Sequence, residues 1–386
     1  MIVKIIFWIS VFLILHTYVL YPFLVFILGI FSGRKHFPSS VKEYSPTVSV
    51  LMAAHNEEHV IREKIEALYS SDYPLEVIVG SDASGDNTDK ILDELKQKFT
   101  DLKILRLSER HGKPAIINLL SEIATGEILI ITDANVIPER DTVRKIIRSF
   151  ADDDIGLTDS RLVSRSPKKD GISVPEIVYI NIESRLKHTE GLLWGTMMGP
   201  FGGFYAIRKS SYEPNSGNIL ADDFRICMNV IGKGQKAVSD SEALVFEDVS
   251  NNLKEEFRRK VRISAGNFQN LKKFFWLILR PFSVWSFCFI SHKVIRWITP
   301  FLWLTMLTMN IMLASDSIFY FSLLILQVIF IILPAFDILL KKFNIHLVPL
   351  RFFTHLFFMN MALFVGFIRY FRGINSGVWT PTKRYQ

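Results

Sequence analysis

The chain has 386 residues, 45 Lys and Arg against 38 Asp and Glu for a formal charge of +7, and 49% hydrophobic residues that include 32 Phe. That length gives two or three structural units at about 100 to 200 residues each, and so apolar a composition excludes a disordered chain. Two well-separated cysteines, Cys227 and Cys288, exclude a disulfide framework, and long uncharged apolar runs exclude a purely soluble protein.

Residues 5–33 contain no Asp, Glu, Lys or Arg and predict an N-terminal transmembrane helix within residues 1–33. The run is longer than the apolar core of a signal peptide and no small-residue cleavage pattern follows it, so it reads as a retained anchor. Arg34, Lys35 and Lys42 follow it and only Lys4 precedes it. The positive-inside rule then puts the next segment in the cytoplasm.

Residues 45–250 alternate short β-rich runs with helical periods, which implies an α/β domain built of βα units around a largely parallel sheet. Strands are expected over 47–54, 76–80, 103–107, 127–132 and 204–207. Helices are expected over 57–70, from about Asn87, over 114–124 and over 224–231. Ligands of open α/β sheets bind beyond the carboxyl ends of the strands, which directs attention to His55, Asn56, Glu57, Asp82 and Asp133.

Residues 251–296 read as amphipathic interface helices: a basic helical pattern over 252–273, then aromatics mixed with Arg280, Pro281, His292 and Lys293 that should lie along the membrane surface. The uncharged stretches 297–315, 317–336 and 352–368 predict about three further spans within 297–371, followed by a tail over 372–386. The expectation is a multi-pass protein of the cell membrane. Basic residues gather near the expected membrane edges, as at Lys272, Lys273, Lys341, Lys342, Arg369 and Arg372. Such a distribution suits lipid headgroups and phosphorylated substrates and gives no nucleic-acid stripe.

Three acidic sites punctuate the α/β domain: Asp82 in a Ser/Gly/Asp-rich turn, Asp133 two residues before Asn135, and the pair Asp222-Asp223 at a helix start. A carboxylate after a buried strand needs a partner, and a divalent cation bridging phosphates is a natural one. Read alone, each has an ordinary alternative: a turn with a helix cap, an Asx-turn, and an N-cap. Two adjacent acids at a helix start leave one free to act as a general base.

Taken together, 48–58, 81–88, His111-Gly112-Lys113-Pro114, Asp133-Ala134-Asn135, Asp222-Asp223 and Arg258-Arg259-Lys260-Val261-Arg262 resemble the membrane-embedded family 2 glycosyltransferases, the hyaluronan, chitin, cellulose and poly-N-acetylglucosamine synthases. The resemblance covers nearly the whole chain. It implies a GT-A fold, Rossmann-like with a mostly parallel sheet, flanked by transmembrane helices. By that resemblance Ala54, Asn56, Glu57 and Asp82 hold the uracil and ribose of a UDP-sugar, Lys113 lies near the nucleotide, and Asp133 and Asn135 face Mg²⁺ or Mn²⁺. Asp223 becomes the base with Asp222 beside it, Arg259 and Arg262 approach the diphosphate, and Gly202, Gly203 and Phe204 shape the acceptor site. Trp379 and Thr382 fall in a segment similar to one that closes over the nucleotide.

Departures from the family pattern are Asn135 for the second acid of Asp-x-Asp, Ala221-Asp222 for Thr-Glu, and Arg259 and Ile263 for the Gln and Trp of Gln-x-x-Arg-Trp. The reading that follows is an inverting transferase moving a hexose, N-acetylglucosamine or glucose, from UDP to a growing polysaccharide at the membrane. Its alternative is a single transfer to a lipid acceptor, which the altered Gln-x-x-Arg-Trp favours. The resemblance also allows an accessory export subunit. Counting three spans after a cytoplasmic domain puts the C-terminus outside, against the gating resemblance. A non-catalytic nucleotide-binding subunit is the reading from another class.

Overall fold

The computed structural model describes residues 1–33, 44–164, 172–248, 252–280, 282–374 and 377–378. Helices α1 (Ile2–Leu15) and α2 (Tyr21–Phe31) run on through a wide turn, His16–Leu20, as one apolar helix of 30 residues whose one charged residue is Lys4. Pro22 cannot donate an N–H to the carbonyl four residues back, and the wide turn before it takes up that offset.

The α/β domain opens with β1 (Val48–Ala54), α3 (Ile61–Tyr69), β2 (Glu76–Asp82), α4 (Thr88–Lys98), β3 (Lys103–Leu107), α5 (Lys113–Ile123) and β4 (Ile128–Thr132). It continues through β5 (Ile137–Pro138), α6 (Thr142–Ile147), β6 (Ile155–Ser164), α7 (Ser173–Trp194), β7 (Phe204–Arg208), α8 (Asp222–Gly232) and β8 (Lys236–Glu247). The strands form one sheet in the order β3-β2-β1-β4-β7-β6-β8-β5. The first four pair in parallel, and β7 enters antiparallel between β4 and β6. β1 and β4 are buried at every residue, as central parallel strands covered by helices on both faces must be.

The first five expected strands lie within two residues of their observed bounds. Helix α3 begins four residues later than expected, because Asn56 adopts a left-handed backbone (φ 55°) and a turn intervenes. Strands β6 and β8 and helix α7 were not foreseen. Their sequences bury Thr158, Asp159, Ser160, Ser239 and Asp240, so the apolar alternation that marks a strand is broken.

Beyond the sheet come α9 (Leu253–Lys273), α10 (Val284–Cys288), α11 (Ile295–Leu313), α12 (Ile318–Lys342) and α13 (Val348–Phe371). Residues 274–296 differ from the interfacial strip expected of them. From Val284 the chain is helical through a second wide turn, Phe289–Val294, into α11, giving a 30-residue helix Val284–Leu313. With Ile2–Phe31, Ile318–Lys342 and Val348–Phe371, four helices are long and apolar enough to cross a membrane. Phe31, Leu326 and Ile332 are among many large apolar side chains left exposed on them. Water would not tolerate so much exposed hydrocarbon, and the protein is membrane-associated.

Helix α7 bolts these helices to the domain. Its Glu190 accepts hydrogen bonds from Tyr21 Oη (2.6 Å) and the Met198 N–H (3.2 Å) and pairs with His292 (2.7 Å). Its Glu183 pairs with His292, Lys293 and Arg296 at 2.6 to 2.9 Å. Helix α13 runs parallel to α9, Phe257 meeting Phe358 and Phe268 meeting Phe367. Past α13 the chain returns to the domain, where the Gly377 N–H donates to the Gly217 carbonyl at 3.0 Å.

Candidate active site

The carboxyl ends of β1, β2 and β4 converge as the parallel topology requires. Asp82 ends β2 fully buried, and its carboxylate accepts from the His111 N–H (2.7 Å), the Gly112 N–H (3.1 Å) and Arg110 Nε (3.1 Å). It is thus occupied in fixing the loop that leads into α5. Asn56 likewise serves the backbone, its Oδ1 accepting from the Gly85 N–H at 2.8 Å.

Asp133 follows the carboxyl end of the central strand β4 and is partly exposed. Its Oδ1 accepts from Lys113 Nζ at 2.6 Å. Burial works against the Lys113 charge, but Asp133, Asp222 and Asp223 outweigh it and hold the ammonium above its ordinary pKa. Beneath them the fully buried Lys64 donates to Thr132 Oγ1 (2.7 Å) and to the Val136 carbonyl, pinning both ends of the turn that carries Asp133. Burial pulls the Lys64 pKa down to about 7. Asn135 donates its amide to Glu247 at the end of β8, 2.9 Å away.

At the start of α8 Asp223 Oδ1 accepts its neighbour's Phe224 N–H at 2.8 Å. Burial, with the charge of Asp222 beside it, pushes the Asp223 carboxyl up to about 6. Gly202 sits directly against it at φ 89°, and a Cβ there would lie 2.1 Å from Asp223 Oδ2. Only glycine fits both the conformation and the space. The loop that carries Gly202 is anchored by the Phe201 N–H, which donates to buried Asp159 at 2.6 Å. Burial raises that carboxyl to about 7.

Lys113, Asp133, Asn135, Gly202, Asp222 and Asp223 line one cavity of about 400 Å³. Of the residues expected at the site, Glu57, Lys113, Asp133, Asn135, Asp222, Asp223, Arg259, Arg262, Gly202 and Gly203 line it. The buried Ala54 and Asp82 and the exposed Asn56 are not part of the lining. Phe204 departs from its expected acceptor role: it is fully buried in β7, with Lys64 Nζ 5.1 Å from its ring centre. Trp379 and Thr382 lie outside the described residues, although Gly377 reaches the cavity.

Sequence reasoning missed Glu247, Lys187 and Asp159. Each sits on β6, α7 or β8, and a reading that placed the end of β8 would have found Glu247. Among the described residues no three His, Cys, Asp or Glu side chains form a ready metal cage. Asp133, Asn135 and Glu247 instead offer oxygen donors at one end of the cavity. That set fits a hard divalent cation which takes one or two protein oxygens and completes its shell with phosphate and water.

The sequence pattern of Glycosyl transferase family 2 matches residues 49–214. The chain is 27% identical to the probable glycosyltransferase YdaM of Bacillus subtilis, over 59% of this chain and 57% of that protein. It is 30% identical to the beta-monoglucosyldiacylglycerol synthase of Nostoc over 36% of this chain and 31% of that protein. It is 23% identical to the poly-beta-1,6-N-acetyl-D-glucosamine synthase of Staphylococcus epidermidis, over 71% of this chain and 70% of that protein. The chain thus spans less than two thirds of YdaM and of the Nostoc synthase. Among solved structures, the mannosyltransferase PcManGT of Pyrobaculum calidifontis, in complex with GDP-Man and Mn²⁺, shares the fold with a TM-score of 0.70. The likeness covers 95% of this chain and 99% of that one at 22% identity.

Proposed function

We infer that this chain, which belongs to glycosyl transferase family 2 through residues 49–214, is an inverting transferase that moves a sugar from a nucleoside diphosphate to an acceptor held at the membrane. The observation that carries this reading is a half-buried carboxylate, Asp223, on the same cavity as Lys113, Asp133 and Arg262. The first group is fit to take a proton and the others to handle a diphosphate.

In this mechanism the acceptor oxygen attacks the anomeric carbon as the bond from that carbon to the diphosphate oxygen breaks. The acceptor proton passes to Asp223. Attack opposite the leaving group inverts the anomeric carbon. Lys113 and Arg262 stabilise the departing charge, and Gly202 lets the acceptor loop approach Asp223. Mg²⁺ or Mn²⁺ held by Asp133, with Asn135 or Glu247, would neutralise charge on the leaving diphosphate; the Mn²⁺ complex of PcManGT supports that choice of metal. UDP remains the proposed carrier, with GDP the competing one.

The acceptor reading we favour is a single transfer to a lipid. The cavity continues past Asp223 to Tyr18, Lys293, Arg296 and Asn360 on the apolar helices, and the 30% identity to a glycolipid synthase points the same way. Polymer synthesis is the second reading, favoured by similarity to a polysaccharide synthase over 71% of the chain. We further read the domain as cytoplasmic. Gly377 lies on the domain, so a domain confined to one side requires an even number of crossings between it and residue 377. Helix α13, packed along α9, is then the one that does not cross.

The test is nucleotide release by the detergent-purified full chain offered UDP-N-acetylglucosamine, UDP-glucose or GDP-mannose with Mg²⁺ or Mn²⁺, followed by product sizing. Metal-dependent release that falls at least about 100-fold in Asp223→Asn is expected. Wild-type rates in that variant would sink the proposed base.

A further inference from the structure

The cavity has a mixed end, where carboxylates face Lys113, Arg259 and Arg262, and an end lined by cations alone among its charged groups. Every carboxylate that lines it, Glu57, Asp133, Asp222, Asp223 and Glu247, belongs to the strand ends, the start of α8 and their loops. On the membrane side Lys187, Lys260, Lys293, Arg296 and His355 line it, and no carboxylate does. Their counter-charges stand behind the wall. Glu183 alone takes Lys293 and Arg296, both at 2.6 Å, together with His292. Glu176 takes Lys260 (2.7 Å) and His355 (2.6 Å).

This end also holds open hydrogen-bond donors. Arg296 Nε is buried without an acceptor among the described residues, a costly arrangement for a charged group. Lys187 Nζ donates to the Pro200 carbonyl at 3.2 Å and forms no ion pair with a carboxylate among the described residues. Lys187 also lies close enough to Asp223 for its charge to act on that carboxyl. Leu356, Met359 and Leu363 share one face of α13 and line the same end. Tyr179 lines it from α7, whose neighbouring Val178 and Ile182 are exposed apolar residues.

Resting on the transferase reading above, we propose that the acceptor is a lipid with a phosphate in its headgroup, seated between Lys187, Lys293 and Arg296 with its hydrocarbon along α13. A phosphate offers acceptor oxygens to Arg296 Nε, which has none among the described residues, and to the ammonium protons that Lys187 and Lys293 do not use in their bonds to Pro200 and Glu183; guanidinium and ammonium groups are its usual hosts. The nucleophile is an O–H of that headgroup. Its oxygen bonds to the anomeric carbon, its proton passes to Asp223, and the nucleoside diphosphate leaves.

The test measures binding of radiolabelled farnesyl phosphate, farnesol and inorganic phosphate to the full chain in detergent, with UDP affinity read on the same samples. Farnesyl phosphate should bind at least tenfold tighter than either partial probe. Lys187→Gln and Lys293→Gln should each weaken it at least tenfold, Lys187→Arg should retain it, and UDP affinity should stay within twofold. Equal binding of farnesol would overturn the phosphate, and equal binding of inorganic phosphate would overturn the lipid. Unchanged farnesyl phosphate binding in both Gln variants would overturn the site. Farnesyl phosphate selectivity in a protein that binds no nucleotide would leave this proposal standing and remove the transferase reading instead.

Discussion

The strand-end half and the membrane-side half of the cavity are built by different means. At the strand ends a parallel sheet delivers Asp133 and Glu57 by topology alone, and short local bonds finish the job, as from the Phe224 N–H to Asp223. On the membrane side the principal ion pairs are long-range. Glu183 meets Lys293 and Arg296 across more than 100 residues of sequence, and Glu176 meets His355 across 179. The first half is positioned by backbone and resists side-chain change, whereas the second stands on a few buried ion pairs and fails when one partner goes.

Glu183→Gln should therefore have the largest effect on stability. It leaves Lys293, Arg296 and His292 facing one another without their shared counter-charge, and breaking a buried pair from one side costs about 3 to 5 kcal/mol. Thermal unfolding of the purified protein in detergent should show a large fall in Tm. An unchanged Tm would mean that water or lipid already serves these cations. Glu57→Gln, at the strand-end half, should shift Tm far less.

Gly202→Ala is the matching break at the strand ends. The new Cβ falls on Asp223 Oδ2, and the backbone there sits in the left-handed region. Transfer should drop about 100-fold, or roughly 2.7 kcal/mol of transition-state free energy, while UDP affinity holds within a few fold. Loss of UDP binding together with rate would show that the loop shapes the nucleotide site instead.

The pH profile sharpens the same point. Burial raises Asp223 to about 6, and a base must be deprotonated to act, so the rate should climb through pH 6 and fall about tenfold per unit below it. Moving Lys187 to Gln removes a nearby positive charge that favours the carboxylate, and the acid limb should shift to higher pH. An acid limb that stays put would separate Lys187 from the base electrostatically.

How much of this could be read from sequence follows the same division. β1, β2 and β4 were legible because buried apolar runs end at or just before a polar residue, and with β4 came Asp133; Asp223 came from the acidic pair that opens α8, and Lys113 from the family resemblance. β6 and β8 were not, since their buried polar groups are satisfied by partners far away in sequence. Asp240 is held by Arg148 at 2.8 Å, and Ser160 donates to the Phe204 carbonyl at 2.6 Å. For the same reason the first part of the helix Val284–Leu313, up to Arg296, read as interfacial and only the rest as a span. His292, Lys293 and Arg296 look too polar for a helix interior until α7 supplies Glu183 and Glu190.

Asn135→Asp should give the smallest effect, and it reports on the one departure from the family pattern that falls at the proposed metal site. In the native chain the neutral amide donates to Glu247, which draws that carboxylate toward Asp133 without adding like charge. An aspartate there would repel the buried Glu247 when no metal is present, and would add a charged oxygen ligand when one is. Metal-free protein should melt slightly lower than wild type, and Mn²⁺ should raise Tm at several-fold lower concentration. The opposite order would mean that Asn135 faces away from the cation and that Asp133 holds it with Glu247 alone.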